Sequence, residues 1–372
     1  MKYRNIGKMD ADLSLLGFGC MRFPTKEDGK IDREKAFEML DYAYKAGVNY
    51  YDTAYFYHNG ESEVVLGEWL KTIDRNTVKV VTKSPVHLCD SREDFFRKFD
   101  EQRTRLGVEK VDFYLLHSLD KTRFDEKVIG FDLLSAMEEL QEKGWIKKIG
   151  FSFHDEYSVF EEIINSYHWD FCQIQLNYMD INHQAGIKGY ELAASKGIAV
   201  SVMEPIKGGS LSDVPKEVRT RFDTLHPEWS SSSWAIRWVA SLPNVMVILS
   251  GMSAMEHVID NLNTVEKFEP LTKEELGIVE EAGEIYRSRT KVPCTACQYC
   301  MPCVAGVRIP SVFTRYNTAF IYDDVPRAKS SYMMMSPNTQ AHNCIECGAC
   351  IEKCPQHINI PEELKKAAEL FK

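Results

Sequence analysis

An α/β protein built on a (β/α)8 barrel, with a small C-terminal domain rich in cysteine, is the fold class this sequence predicts. Three observations point there. Eight short apolar runs alternate with amphipathic helical stretches between about residues 13 and 266. The runs are apolar at consecutive positions, as strands covered on both faces of a parallel sheet must be. Eight of the 11 cysteines fall in two tight groups beyond residue 290, where the strand pattern fades.

The elements follow in order. The segment before residue 13, with Gly7-Lys8 as its turn, reads as a short hairpin. The eight strand candidates are LSLLGFG (13–19), VNYYD (48–52), VKVVTK (78–83), VDFYLLH (111–117), IKKIGFS (146–152), FCQIQL (171–176), IAVSVME (198–204) and VMVILS (245–250). Between them, Asp32 is a good N-cap for a helix over 32–46 that stops at Gly47, and Ser91 opens a helix that stops at Gly107. Helices over 132–143 and 185–196 stop at Gly144 and Gly197, and a helix over 254–266 closes the series. An open doubly wound sheet is the rival. It calls for G-x-G-x-x-G after the first strand, which GFGCMR (17–22) does not complete. Residues 272–289 read as one more helix, and composition shifts beyond it. A domain boundary near residue 288 therefore divides the chain into a barrel, 1–288, and a small domain, 289–372.

Bulk properties bound the function. The 372 residues are 44% apolar and 27% charged, enough for a sizeable core. A net charge of −10 argues against a nucleic-acid partner, which calls for a basic face. No signal peptide follows Met1 and no apolar run approaches the length of a membrane span, so a soluble, cytoplasmic protein is expected.

Catalytic residues of such barrels come from the C-terminal ends of strands. Those ends carry Asp52, Lys83 and His117, with Tyr57 in the loop after Asp52 and Ser152, Gln173 and Glu204 further on. Together they suit carbonyl chemistry. A phenol can deliver a proton to oxygen as hydride reaches carbon, a neighbouring ammonium lowers its pKa, an acid holds the ammonium charged, and an imidazole orients the carbonyl. Singly, each has a plain structural reading as a turn cap, a solvated strand end or a core histidine.

The stretch DTAYFYHNGESEVVLG (52–67), with VTK (81–83) and FYLLH (113–117), resembles the aldo-keto reductase family, a family of TIM barrels. The resemblance runs from residue 3 to about 288 and implies the family's tetrad at Asp52, Tyr57, Lys83 and His117. It also implies an NAD(P)H site and a small-molecule carbonyl or alcohol substrate. In that site Ser152 and Gln173 match the nicotinamide contacts, but Phe153 replaces the expected Asn and Met203 stands where a stacking tyrosine is expected. The phosphate side is LSGMS (249–253) with the helix to Asn261, and implicates Ser250, Gly251, Met252, Ser253 and Asn261. No Lys or Arg stands there for a 2′-phosphate, so the nucleotide preference is open. Lys207 reads as a solvated loop lysine ahead of a substitute contact. Arg22, Phe23, Tyr55, Phe56, His58, His154 and Tyr178 are candidates for the substrate pocket.

The segment CIECGACIEKCP (344–355) is C-x2-C-x2-C-x3-C-P and resembles the bacterial ferredoxin run, whose fourth cysteine serves a second cluster. This implies a ferredoxin-like domain with two [4Fe–4S] clusters. One would be held by Cys344, Cys347, Cys350 and Cys303, the other by Cys294, Cys297, Cys300 and Cys354. The first group, CTACQYCMPCV (294–304), departs from the pattern in its last spacing and in lacking the proline. A tetrahedral zinc site takes two thiolates per turn and fits this run less well. RIP (308–310) and HINIP (357–361) follow the two groups at similar distances, like two halves of a pseudo-symmetric fold. Three roles stay open for the clusters: feeding the barrel's chemistry, passing electrons to a redox protein partner over an inert barrel, or stapling a small domain.

Overall fold

The computed structural model describes residues 1–294, 300–354 and 357–372. The chain packs as two compact units: Met1–Ser212 with Ser230–Lys273, and Asp213–Trp229 with Glu274–Lys372. Among the described residues, no helix is long and apolar enough to cross a membrane.

The first unit is the barrel. Eight parallel strands close on themselves in chain order: β1 (Leu16–Gly19), β2 (Tyr50–Asp52), β3 (Lys79–Ser84), β4 (Val111–Leu119), β5 (Ile146–Phe153), β6 (Phe171–Gln175), β7 (Ala199–Met203) and β8 (Val245–Ser250). β8 pairs with β1, Ser250 opposite Phe18, and completes the ring. A hairpin is present outside it, but its second arm, Leu13–Ser14, is taken from the run read as the first strand; Tyr3–Arg4 pairs antiparallel with it.

Strand side chains alternate between the barrel interior and the helix layer. The interior stack contains Tyr50, Val81, Phe113, Leu115, Phe171, Ala199, Val247 and Leu249, all buried. Two glycines make room for the aromatic rings: a Cβ on Gly150 would lie 2.6 Å from the ring of Phe171, and one on Gly17 would lie 3.1 Å from Tyr50. The outer faces of the strands join the helix layer in one continuous core that includes Trp69, Phe99, Tyr114, Phe151 and Trp169. The expected caps are made. The side chains of Asp32 and Ser91 accept from the backbone N–H of Lys35 and Asp94.

The same two-residue period fixes the functional face. One step beyond the apolar stack, towards the strand ends, it brings Asp52 after Tyr50, Lys83 after Val81, His117 after Leu115 and Gln173 after Phe171.

The second unit is helical among its described residues. Its helices are Lys216–Leu225, Lys273–Arg289, Ile309–Ile321, Val325–Met333 and Ile360–Leu370. Ion pairs of Arg289 with Glu217, Arg221 with Glu281 and Arg327 with Asp213 tie the 213–229 excursion to the rest of the unit. Its core has Val312, Phe313, Tyr332, Leu364 and Phe371 at the centre, with Cys294, Cys300, Cys303, Cys344, Cys350 and Cys354 packed against it. The helices at 309 and 360 both open on Ile-Pro, with Ile309 and Ile360 buried, so the two halves of the repeat enter the core alike.

Candidate active site

Lys83 is the centre of the site. Its ammonium, 1% exposed, donates to Asp52 Oδ1, to the carbonyl of Thr53 at 2.8 Å and to the Tyr57 hydroxyl at 3.3 Å. The Tyr57 ring lies 4.9 Å from the same ammonium. Burial alone would drive the lysine towards neutrality, but Asp52, then Tyr57, outweighs it and the net shift is upward, so Lys83 stays charged. Burial raises Asp52, and Lys83 offsets only part of that.

Tyr57 departs from the sequence-based expectation in one respect. Its phenol sits above the ordinary value rather than below it. Burial is the largest cause; Lys83 opposes it, and Asp52, which faces the same ammonium, cancels part of that opposition. The phenol is therefore a fully protonated donor at neutral pH.

The loop holding Tyr57 is tightly specified. Phe56 is followed by a 3-10 turn, Tyr57–Gly60, in which His58 and Asn59 take left-handed backbone angles. Arg105 on the helix Arg92–Leu106 donates to the Tyr55 carbonyl at 2.9 Å and to Glu63 Oε2 at 3.3 Å. Glu63, fully buried, accepts from Thr82 Oγ1 at 2.7 Å and Gln102 Nε2 at 2.8 Å, and Gln102 also donates to the Lys83 carbonyl at 3.0 Å. One buried network thus backs both the tyrosine loop and the lysine strand. Sequence reasoning did not single out Glu63, Gln102 or Arg105, since nothing in a helix pattern marks which polar residue turns inward.

His117 is 6% exposed, stacked on Phe56 with ring centroids 4.8 Å apart and edge-on to Tyr57 at 5.9 Å. Burial, then the Lys83 ammonium, holds its imidazole well below the usual value, so it is neutral at pH 7. Asp52, Tyr57, Lys83 and His117 are thus gathered at one end of the barrel, as the strand-end reading anticipated.

The positions anticipated for a nucleotide divide into two kinds. Gln173 is buried, and its Oε1 has no hydrogen-bond partner among the described residues. Ser152 accepts from the Ser118 N–H at 2.7 Å and keeps its own proton to donate. Met203 is half-buried at the end of β7. On the phosphate side, Asn261 donates to Ser250 Oγ at 2.9 Å and both are buried, so this pair braces the turn. Met252 packs into the main core, while Gly251 and Ser253 on either side are exposed. Arg22 lies across Gly251; a Cβ there would come within 2.7 Å of the arginine Cγ. Phe23 and Tyr178 are buried and Phe56 is exposed. Tyr55 donates to Glu101 at 2.6 Å, and His154 Nδ1 is 3.2 Å from Gln184 Oε1. Lys207 pairs with Asp180.

Residues 15–284 match the model of the aldo/keto reductase family. The chain belongs to the aldo/keto reductase family. Curated relatives agree: the uncharacterized oxidoreductase YqkF of Bacillus subtilis is 24% identical over 77% of this chain and 99% of its own length. The NADH-specific methylglyoxal reductase of Escherichia coli is 24% identical over 70% of this chain and 93% of its own. Among solved structures, the holo form of aldo-keto reductase AKR11C1 from Bacillus halodurans superposes with a TM-score of 0.64 at 24% identity, covering 76% of this chain and 96% of that one. This aldo/keto reductase is an oxidoreductase by that membership.

Its C-terminal region is the second candidate site. Cys303, Cys344, Cys347 and Cys350 line one cavity with Cys300, Val304, Ile345 and Lys353. Burial raises the Cys350 thiol, and Cys344, Cys303 and Cys347 lie near enough to raise it further. Five thiols in one concave site, Cys300 among them, suit a soft, many-atom metal group and fit an iron–sulfur cluster. Cys294 and Cys354 are half-buried; Cys297, expected beside them, lies outside the described residues. Residues 293–358 match the 4Fe-4S dicluster domain. This reductase therefore carries an iron–sulfur domain fused behind its barrel.

Proposed function

We propose that the barrel reduces a small-molecule carbonyl, or oxidises the corresponding alcohol, with Tyr57 as the proton donor and acceptor. The observation that carries this reading is the Asp52–Lys83–Tyr57 contact in the interior of the strand ends. A bound NAD(P)H would supply the hydride. Gln173 Oε1, buried and without a partner among the described residues, and the spare proton of Ser152 suit the two ends of a carboxamide, and Met203 suits a ring face. Arg22 over Gly251 is a cation for a pyrophosphate, with Ser253 beside it at the helix Met255–Glu266.

The chain's own part is proton handling. Lys83, held charged by Asp52, stabilises negative charge as it develops on the Tyr57 oxygen. The Tyr57 proton passes to the substrate oxygen, and the neutral imidazole of His117 orients that oxygen by hydrogen bond. We favour NADH, because no Lys or Arg occupies residues 249–257 to meet a 2′-phosphate, and the E. coli relative is named NADH-specific.

The fused domain is proposed to hold two [4Fe–4S] clusters, one on Cys303, Cys344, Cys347 and Cys350, the other on Cys294, Cys297, Cys300 and Cys354. Each would carry single electrons to or from a redox protein. Exposed Val304 and Ile345 beside exposed Cys347 favour such an exchange. The test is anaerobic purification followed by a carbonyl panel with NADH, NADPH and reduced viologen as donors. Turnover that is lost in Tyr57→Phe supports the reading. No turnover with any donor, or an undiminished rate in Tyr57→Phe, overturns it.

A further inference from the structure

His117 lacks the usual device for aiming a catalytic imidazole. A second hydrogen bond normally fixes ring and tautomer, yet Nδ1 of His117 is buried with no partner among the described residues. Its direction must come from the backbone and from the Phe56 stack. The backbone there is irregular. The pairing of β4 with β5 shifts between Leu116 and Leu119, and Ser118 takes φ +54°, in the left-handed region. Serine holds that conformation at a cost that glycine does not bear.

Both polar groups of the Ser118 peptide backbone are clamped. Its N–H donates to Ser152 Oγ at 2.7 Å, and its carbonyl accepts from Arg123 Nη1 at 2.5 Å. Arg123 is itself held: its N–H donates to Asp120 Oδ1 at 2.7 Å, and its guanidinium lies 3.4 Å from Asp120 Oδ2. Beyond the bulge the strand is re-anchored where the His154 N–H donates to the Leu119 carbonyl at 3.0 Å. Five residues along the chain, Arg123 thus reaches back to close the one irregular step next to His117.

We propose that Arg123 is a positioning residue for His117, clamping the Ser118 carbonyl so that the left-handed bulge aims the imidazole at the barrel axis. The proposal rests on the reading of His117 as the group that orients the carbonyl. It assigns Arg123 no contact with substrate.

The test uses the full chain, purified anaerobically with its iron, in four forms: wild type, Arg123→Met, Ser118→Gly and the double variant. Histidine is 13C-labelled and the His117 signal is assigned by its loss in His117→Gln. Stacking on Phe56 displaces that signal by ring current, so its position reports where the imidazole lies. In Arg123→Met the signal moves and kcat falls about tenfold to a hundredfold, with KM changed much less, as for a misplaced group acting in the transition state. In the double variant both return to the Ser118→Gly values, because glycine holds the bulge without a clamp. Should Arg123→Met not fold, Arg123→Lys, which keeps the charge but not the reach of the fork, carries the same comparison. An unmoved His117 signal, or a rise in KM alone that Ser118→Gly does not rescue, overturns the proposal. If the wild type reduces no carbonyl, the functional reading fails, while the His117 signal still decides whether Arg123 positions it.

Discussion

The buried ammonium of Lys83 is the group on which Tyr57, Asp52 and the Thr53 carbonyl all converge, and removing it separates catalysis from stability. Lys83→Met strands a buried carboxylate whose Oδ2 already lacks a partner among the described residues. Breaking such a pair costs about 3–5 kcal/mol, so urea unfolding will show a large loss that Asp52→Asn in the same chain partly restores. Tyr57→Phe removes one hydroxyl bonded only to Lys83 among the contacts described, so its unfolding midpoint will stay near that of the wild type. Its kcat will fall about a hundredfold or more, the contribution of a positioned acid. The pH profile has a definite sign. His117 is held well below its ordinary value, so the unfolded chain binds the extra proton first. Its contribution to stability is complete above about pH 6.5 and is lost as pH falls towards the folded value. For the same reason the reduction rate will show no limb centred near pH 6.5, and a limb there would mean that His117 titrates in the working enzyme.

Caps made some helix ends legible, though Met255–Glu266 was read without one and Ser231–Ala240, capped by Ser230, was not read. Asp32 and Ser91 mark helix starts because their side chains bond the first turn, and Gly47 and Gly107 mark ends because the chain leaves with φ +95° and +61°. The helices Glu61–Leu70 and Tyr157–Ser166 begin at Gly60 and Glu156 with no side-chain cap, so no residue announces them. The inward placement of Asp52 and Lys83 was legible for a different reason: a two-residue period sets it whatever the helices do. The bulge at Ser118 was not, because it exists only in the pairing of β4 with β5. Nor was the helix Lys216–Leu225, which leaves the barrel unit for the other through long-range ion pairs. The backing network can be tested at this scale. Glu63→Ala removes the acceptor shared by Thr82, Gln102 and Arg105 and leaves buried donors short of a partner, at about 1–3 kcal/mol. Calorimetry will show the lowered midpoint. Because the same network holds the Tyr55 carbonyl and the Lys83 strand, kcat will fall with it, whereas an exposed substitution of equal thermal cost will leave kcat alone.

At the scale of the molecule, two cores answer to two kinds of chemistry. The barrel closes with its own interior stack and its own shell of helices, and the proposed two-electron carbonyl reduction, with Tyr57 handling the proton, asks nothing of iron. The second unit is built differently: six of its cysteines pack against a small apolar core, so the thiolates and whatever they bind belong to that core. Small domains of this kind draw folding free energy from metal, since binding to the folded ligand set alone stabilises it. Cys344→Ser with Cys350→Ser removes two thiols from the Cys303–Cys347 cavity. The iron content of the purified chain will fall by about the share of one cluster of two. Calorimetry will show the second unit's transition broadened or lost while the barrel's transition persists. Carbonyl reduction with NADH will survive in that variant, and electron uptake by the chain from reduced viologen will fall. Loss of both would mean that the barrel's chemistry runs through the clusters, and loss of neither would leave iron as a staple.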